Sequence, residues 1–203
     1  MSAEPTVFVI DDNAEVRRSL RALMKSAGLA VETYASGEEF LDGYDASRPG
    51  CLLLDIRLRG SSGLDLQDEL RRRNAALPVI VMTGYGNVPT SVRALRGGAI
   101  DFLQKPIAPK RLLERIHEAL EIDRHAREVA TTRTAVAARL ARLTPREREI
   151  TELLVAGKSS KEIAAALHLS VRTVEGHRRG VLRKMEVSSA AHLAGTVLRA
   201  RGQ

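Results

Sequence analysis

The chain has 203 residues, of which 44% are hydrophobic and 28% charged; this is the composition of a folded globular protein and excludes an intrinsically disordered one. No apolar run approaches the roughly 20 residues that cross a bilayer, and the first residues show no basic-then-apolar leader. A single cysteine, Cys51, makes no internal disulfide, so a reducing, cytoplasmic setting is expected. The net charge of +7 is uneven: 16 basic against 17 acidic residues up to Ile122, 5 against 2 over Asp123 to Leu143, and 11 against 6 from Thr144 onward. A basic last third suits a module that binds a polyanion, although many basic faces are merely solvated.

Two rhythms follow one another along the chain. Short apolar runs at Val7–Ile10, Ala30–Tyr34, Cys51–Leu54, Val79–Met82 and Ile100–Leu103 predict five strands. Three are nearly unbroken, as expected of strands covered on both faces. Between the first two, Val16, Leu20, Leu23 and Met24 recur at helical spacing over Glu15 to Ala27. Strands alternating with helices predict a doubly wound parallel sheet. After Pro109 no strand signal returns. Residues from Pro109 to about Arg142 contain no helix breaker, which predicts a long connecting helix with a weak patch at Thr131 to Thr134.

Ligands of open parallel sheets sit beyond the carboxyl ends of the strands. Here the first strand ends in Asp11-Asp12, the third in Asp55, the fourth in Thr83-Gly84, and the fifth is followed by Lys105-Pro106. Three carboxylates on one rim repel one another unless a hard divalent cation shares them, and Mg²⁺, with Mn²⁺ as the alternative, takes such oxygen ligands. Asp55, alone after the central strand, can then act as a nucleophile toward a phosphoryl group. Thr83 can donate to a phosphate oxygen and Lys105 can supply balancing charge. Singly, each of these residues is more often a cap, a turn former or a solvated cation; their occurrence in order, each at a strand end, carries the reading.

This pattern resembles the receiver domain of response regulators, with the match running over residues 5 to 122. The resemblance implies metal binding by Asp11 and Asp12, phosphoryl acceptance by Asp55, a further metal ligand in the backbone carbonyl of Arg57, a switch pair of Thr83 and Phe102, and a cis Lys105-Pro106 bond. One departure is local: the loop after the acceptor reads Leu58-Arg59-Gly60-Ser61-Ser62-Gly63 where the family carries Met-Pro-Gly.

The last third has its own signals. Thr144-Pro145-Arg146-Glu147 and Ser159-Ser160-Lys161-Glu162 are capping boxes, and Gly157 suits a helix stop. A short helix over Lys161 to Leu167, a turn at His168-Leu169-Ser170, and a third helix through about Met185 predict a helix-turn-helix. On the third helix Val171, Val174, Val181, Leu182 and Met185 are expected on the core face, with Arg172, Gly176, Arg179 and Arg183 on the opposite stripe. The segment from about 143 to 198 resembles the LuxR-type DNA-binding domain of the NarL/FixJ family. The residues that carry this are Leu143 to Glu149, Gly157, Lys161 to Ala164, Thr173-Val174 and His177. The resemblance implies base contacts by Glu175, Gly176 and Arg179, and phosphate contacts by Lys161, Thr173, His177, Arg183 and Lys184. Together with Met82 to Pro89, it points to the FixJ branch.

The expected architecture is a flavodoxin-like five-stranded α/β receiver followed by an all-α LuxR-type helix-turn-helix domain, with limits at 1–122 (receiver), 123–142 (helical linker) and 143–203 (DNA binding). The resemblance implies a response regulator that a cognate histidine kinase phosphorylates on Asp55. It then forms a homodimer and binds double-stranded promoter DNA, acting with RNA polymerase, the family leaning to activation. No membrane partner is expected, and no enzyme activity beyond its own phosphoryl transfer and dephosphorylation. Two alternatives stay open: a DNA binder whose receiver only holds a dimer, and a flavodoxin-like enzyme. The second lacks a glycine-rich loop after the first strand, a Ser-His-Asp or Cys-His set, and histidines at ligand spacing.

Overall fold

Five apolar runs become one parallel sheet. The computed structural model describes residues 4–59, 62–73, 75–84 and 88–202. Gly60 and Ser61 of the acceptor loop, and Tyr85, Gly86 and Asn87 of the segment that suggested the FixJ branch, lie outside the described residues. Two units are distinguished, Met1–Ala126 and Arg127–Gln203.

In the first unit the strands are β1 (Thr6–Ile10), β2 (Ala30–Tyr34), β3 (Gly50–Asp55), β4 (Val79–Thr83) and β5 (Ala99–Gln104). They pair in parallel in the order β2-β1-β3-β4-β5. The three inner strands are buried throughout, whereas the edge strands β2 and β5 are mostly half-buried. That is why only the inner three read as unbroken apolar runs. Side chains alternate between two cores. Phe8, Ile10, Leu52, Leu54 and Val81 pack with Phe40, Leu66, Leu70 and Ala94, from α2 (Gly37–Gly43), α3 (Gly63–Arg72) and α4 (Val88–Arg96). Val7, Val9, Leu53, Ile80 and Met82 pack on the other face with Met24, Leu112 and Ile116, from α1 (Ala14–Ser26) and α5 (Pro109–Ala141). The single thiol, Cys51, lies in this second core, and its burial pushes its pKa up to about 12.

Local chemistry starts the helices. The Asn13 side chain accepts from the amides of Glu15 and Val16 to open α1, and Ser62 accepts from Leu64 to open α3. The buried Asp123 carboxylate of α5 accepts from the Gly50 amide at 2.9 Å, fixing the start of β3. The expected weak patch does not interrupt α5: Thr132 and Thr134 donate their hydroxyls to the carbonyls of Glu128 and Ala130 one turn back.

The second unit is helical. It comprises the last turns of α5, then α6 (Pro145–Val155), α7 (Ser160–Leu167), α8 (Val171–Met185) and α9 (Ala190–Arg201). Both expected capping boxes are present, at Thr144 with Glu147 and at Ser159 with Glu162. Val136, Leu143, Ile150, Leu154, Ile163, Val174, Val181, Met185, Leu193 and Val197 form its core. One expectation fails: Val171 is 43% exposed rather than buried. It is the first residue of α8, and helical side chains lean back over the preceding turn, which does not exist there.

Candidate metal centre and nucleic-acid interface

Strand order reverses between β1 and β3, which opens a crevice at their carboxyl ends. Into it fall Asp11, Asp12 and Asp55, from each of which one carboxylate oxygen lies within 4.8 Å of the other two. Asp11 is fully buried and Asp55 only 8% exposed. The Asn13 amide donates to Asp11 Oδ1 at 2.9 Å, so the turn that caps α1 also orients this carboxylate. Lys105, from the far end of the sheet, brings Nζ to 2.6 Å from Asp11 Oδ2 and 3.0 Å from Asp55 Oδ2. Its backbone amide is fixed by the Thr83 carbonyl at 2.7 Å, and the Lys105-Pro106 bond is cis.

Electrostatics follow from this crowding. Burial raises the pKa of Asp55, assisted by the neighbouring Asp11, against hydrogen bonds from Lys105 and the Arg57 amide that lower it. Burial also works against the charge of Lys105, but the hydrogen bonds to Asp11 and Asp55 prevail and hold its pKa above the usual lysine value. A hard divalent cation fits this donor set: three oxygen ligands converge, and the half-buried Lys105 ammonium contacts two of the three carboxylates. Thr83 is buried at the end of β4 and Phe102 is half-buried on β5, opposite Val81.

The acceptor loop is closed tightly. Arg57 bridges Ser62 in antiparallel fashion, and the Gly63 amide donates to the Ile56 carbonyl at 2.9 Å. A Cβ on Gly63 would sit 2.1 Å from the Asp55 carbonyl oxygen, so only glycine permits this closure. Sequence reasoning assigned no role to Gly63, Asn13 or Arg59, whose Nε lies 3.5 Å from Asp12 Oδ2. The Asn13 cap was legible in principle, since Asn before an amphipathic run is a helix start. Arg59 left no sequence signal, because its partner lies on another strand's loop.

On α8, the stripe Arg172, Gly176, Arg179 and Arg183 is exposed as expected, with Thr173 beside it and Lys161 exposed on α7. His177 is half-buried. A Cβ at Gly176 would meet nothing within 4 Å, so the fold gives no reason for a glycine there. Three expected DNA contacts are engaged within the protein: the Thr173 hydroxyl hydrogen-bonds with the Ser170 hydroxyl at 2.8 Å, Glu175 accepts from the Ser160 hydroxyl and lies 3.7 Å from Arg178, and Lys184 donates to Glu147 at 2.6 Å. Lys184 lowers the Glu147 pKa, working against burial and helped by the Thr144 amide and hydroxyl.

Comparison with known proteins matches this division. Residues 7–117 fit the response regulator receiver domain, and residues 141–197 fit the bacterial regulatory proteins of the luxR family. The chain belongs to the response-regulator family, NarL/FixJ group. It is similar over both parts to the transcriptional regulatory protein FixJ of Bradyrhizobium diazoefficiens, 37% identical over 98% of each chain. It is also similar to the transcriptional regulatory protein TdiR of Thauera aromatica, 41% identical over 96% of this chain and 86% of that one. Among solved structures, the response regulator StyR superposes with a TM-score of 0.87 at 37% identity, covering 96% of this chain and 98% of that one. As a FixJ-type response regulator, the chain is a two-component transcription regulator with a receiver and a luxR-type DNA-binding domain. Among the described residues, no helix is long and apolar enough to cross a membrane.

Proposed function

We propose that Asp55 is the phosphoryl acceptor and that its modification by a histidine kinase controls DNA binding by the second unit. The observation that carries this reading is the convergence of Asp11, Asp12, Asp55 and Lys105 in one crevice, with the ammonium reaching Asp55. Asp11, Asp12, Asp55 and the Arg57 carbonyl would hold Mg²⁺, or Mn²⁺, which when bound neutralises charge on the transferring phosphoryl group. An Asp55 oxygen attacks phosphorus of the phosphohistidine, the phosphorus–nitrogen bond breaks, and the imidazole leaves with the electron pair. Lys105, held by its two carboxylates, then faces the new phosphoryl oxygens, and Thr83 donates its hydroxyl to one of them. As Thr83 moves, Phe102 turns inward behind it. The chain's only catalysis in this scheme is on itself: transfer and later hydrolysis of its own acyl phosphate.

Dimerisation through α4 and β5 follows in this proposal. Val92 and Leu95 support it, two apolar side chains left 39% and 51% exposed on α4. A dimer places two α8 helices on successive half-sites of promoter DNA and raises affinity by effective concentration. Arg179 and Gly176 would face base edges, while Lys161, Thr173, His177 and Arg183 would hold phosphates. Glu175 and Lys184 join them only by leaving their internal partners. The working parts are residues 1–122, a helical linker at 123–142, and 143–203; Val136 and Leu140 of the linker already pack in the second unit's core. The protein acts in the cytoplasm and regulates transcription with RNA polymerase, toward activation.

The deciding experiment incubates the protein with acetyl phosphate and Mg²⁺, then reads intact mass and sedimentation. The native chain gains one phosphoryl group and dimerises; Asp55→Asn does neither. A native chain that stays unmodified would leave a DNA binder whose receiver carries no switch.

A further inference from the structure

Among the described residues, two cations pair with the carboxylates of the acidic crevice. Lys105 serves Asp11 and Asp55 and belongs to the scheme above. The second, Arg59, has no part in it, yet its guanidinium pairs with Asp12, the carboxylate that Lys105 does not contact. Arg59 occupies the loop where the family carries a Met-Pro-Gly sequence. The base of that loop is fixed at the acceptor itself, by the Arg57–Ser62 bridge, the Gly63 amide on the Ile56 carbonyl, and the close approach of Gly63 to the Asp55 carbonyl. A proline at this position would supply no charge. An arginine supplies one. The side chain is 88% exposed, so the fold does not need it for packing.

We propose that Arg59 is a resident counter-cation of Asp12 that competes with the divalent cation for the crevice and so sets the concentration at which that cation binds. This rests on the metal reading given above. A cation that takes Asp12 as a ligand must displace the guanidinium or bind beside its positive charge, and either route weakens binding. Arg59 thus acts through Asp12 as a positioning residue; it is not a ligand. Because the guanidinium is exposed, its effect is modest and sensitive to salt.

Mn²⁺ binding to the full chain tests this, with free Mn²⁺ followed by electron paramagnetic resonance and Mg²⁺ by calorimetry, for the native protein, Arg59→Ala and Arg59→Lys. Arg59→Ala is expected to bind about 2- to 5-fold tighter at low salt, with the gap closing in high KCl and Arg59→Lys lying between. Unchanged circular dichroism is the control for folding. A variant that binds with the native affinity, or more weakly, overturns the role of Arg59 while leaving the metal site intact. A native chain that binds neither ion overturns both readings together.

Discussion

The Lys105 ammonium lies 3.0 Å from the Asp55 carboxylate although the two residues stand 50 positions apart. Neither charge is comfortable alone in this crevice: burial disfavours both, and each supplies the other's compensation.

Removing the cation should therefore act twice. Lys105→Ala leaves Asp11 and Asp55 as buried neighbouring carboxylates and is expected to lower receiver stability by about 2–3 kcal/mol in the absence of divalent ions. Thermal unfolding should show Mg²⁺ restoring more stability to this variant than to the native chain. Phosphoryl uptake from acetyl phosphate should slow about 100-fold, the usual cost of losing one preorganised electrostatic partner. Uptake at the native rate would remove Lys105 from the mechanism.

Gly176 offers a test in which stability and function move in opposite directions. An added Cβ meets no atom within 4 Å, so Gly176→Ala should stabilise the second unit by about 0.5–1 kcal/mol. The same methyl group stands on the exposed stripe between Arg172 and Arg179, and operator affinity should fall. A variant that is both more stable and equally tight on DNA would take Gly176 out of the interface. Gly180 is the built-in contrast, since a Cβ there meets Glu147 Oε1 at 3.0 Å.

Glu147 predicts the acid sensitivity of the second unit. Its folded pKa is held below the usual glutamate value by the Lys184 hydrogen bond, against desolvation, and by the Thr144 cap. A depressed carboxyl stabilises the fold above the unfolded pKa of about 4.3 and loses that contribution as pH falls through the folded value. Glu147→Gln should cost about 1–2 kcal/mol at neutral pH and flatten the stability profile below about pH 5. Urea unfolding of the native chain and the variant at several pH values measures both effects.

Arg179 and Lys161 are expected to separate specificity from affinity. Arg179→Ala should reduce discrimination at one base pair by about 1–3 kcal/mol. Lys161→Ala should weaken binding alike on all sequences and lower the salt slope by about one unit. Selection from a randomised DNA pool, followed by salt titration, distinguishes the two; equal losses across sequences for Arg179→Ala would reassign it to phosphate.

Much of this architecture was legible before any coordinates. The inner strands β1, β3 and β4 announced themselves because both of their faces are buried, which enforces continuous apolar runs. The starts of α6 and α7 were legible because a capping box is closed within four consecutive residues, and no distant partner is needed to form it. The acidic residues were legible because each stands at the carboxyl end of a strand, and parallel strands deliver those ends to one rim.

What the chain order could not state is which side chain answers which. Arg59 reaches Asp12, Ser160 engages Glu175, and Lys184 holds Glu147, all through pairings between elements whose separation in sequence carries no periodic signal. Val171 passes as core on a helical wheel and is exposed in fact, because a wheel assumes a neighbouring turn that the first residue of a helix lacks. Local hydrogen bonds and periodic burial thus determined the elements from the sequence alone, and motif resemblance nominated the candidate residues. The tertiary structure decided their partners, since a charge settles on whichever opposite charge packing brings within reach.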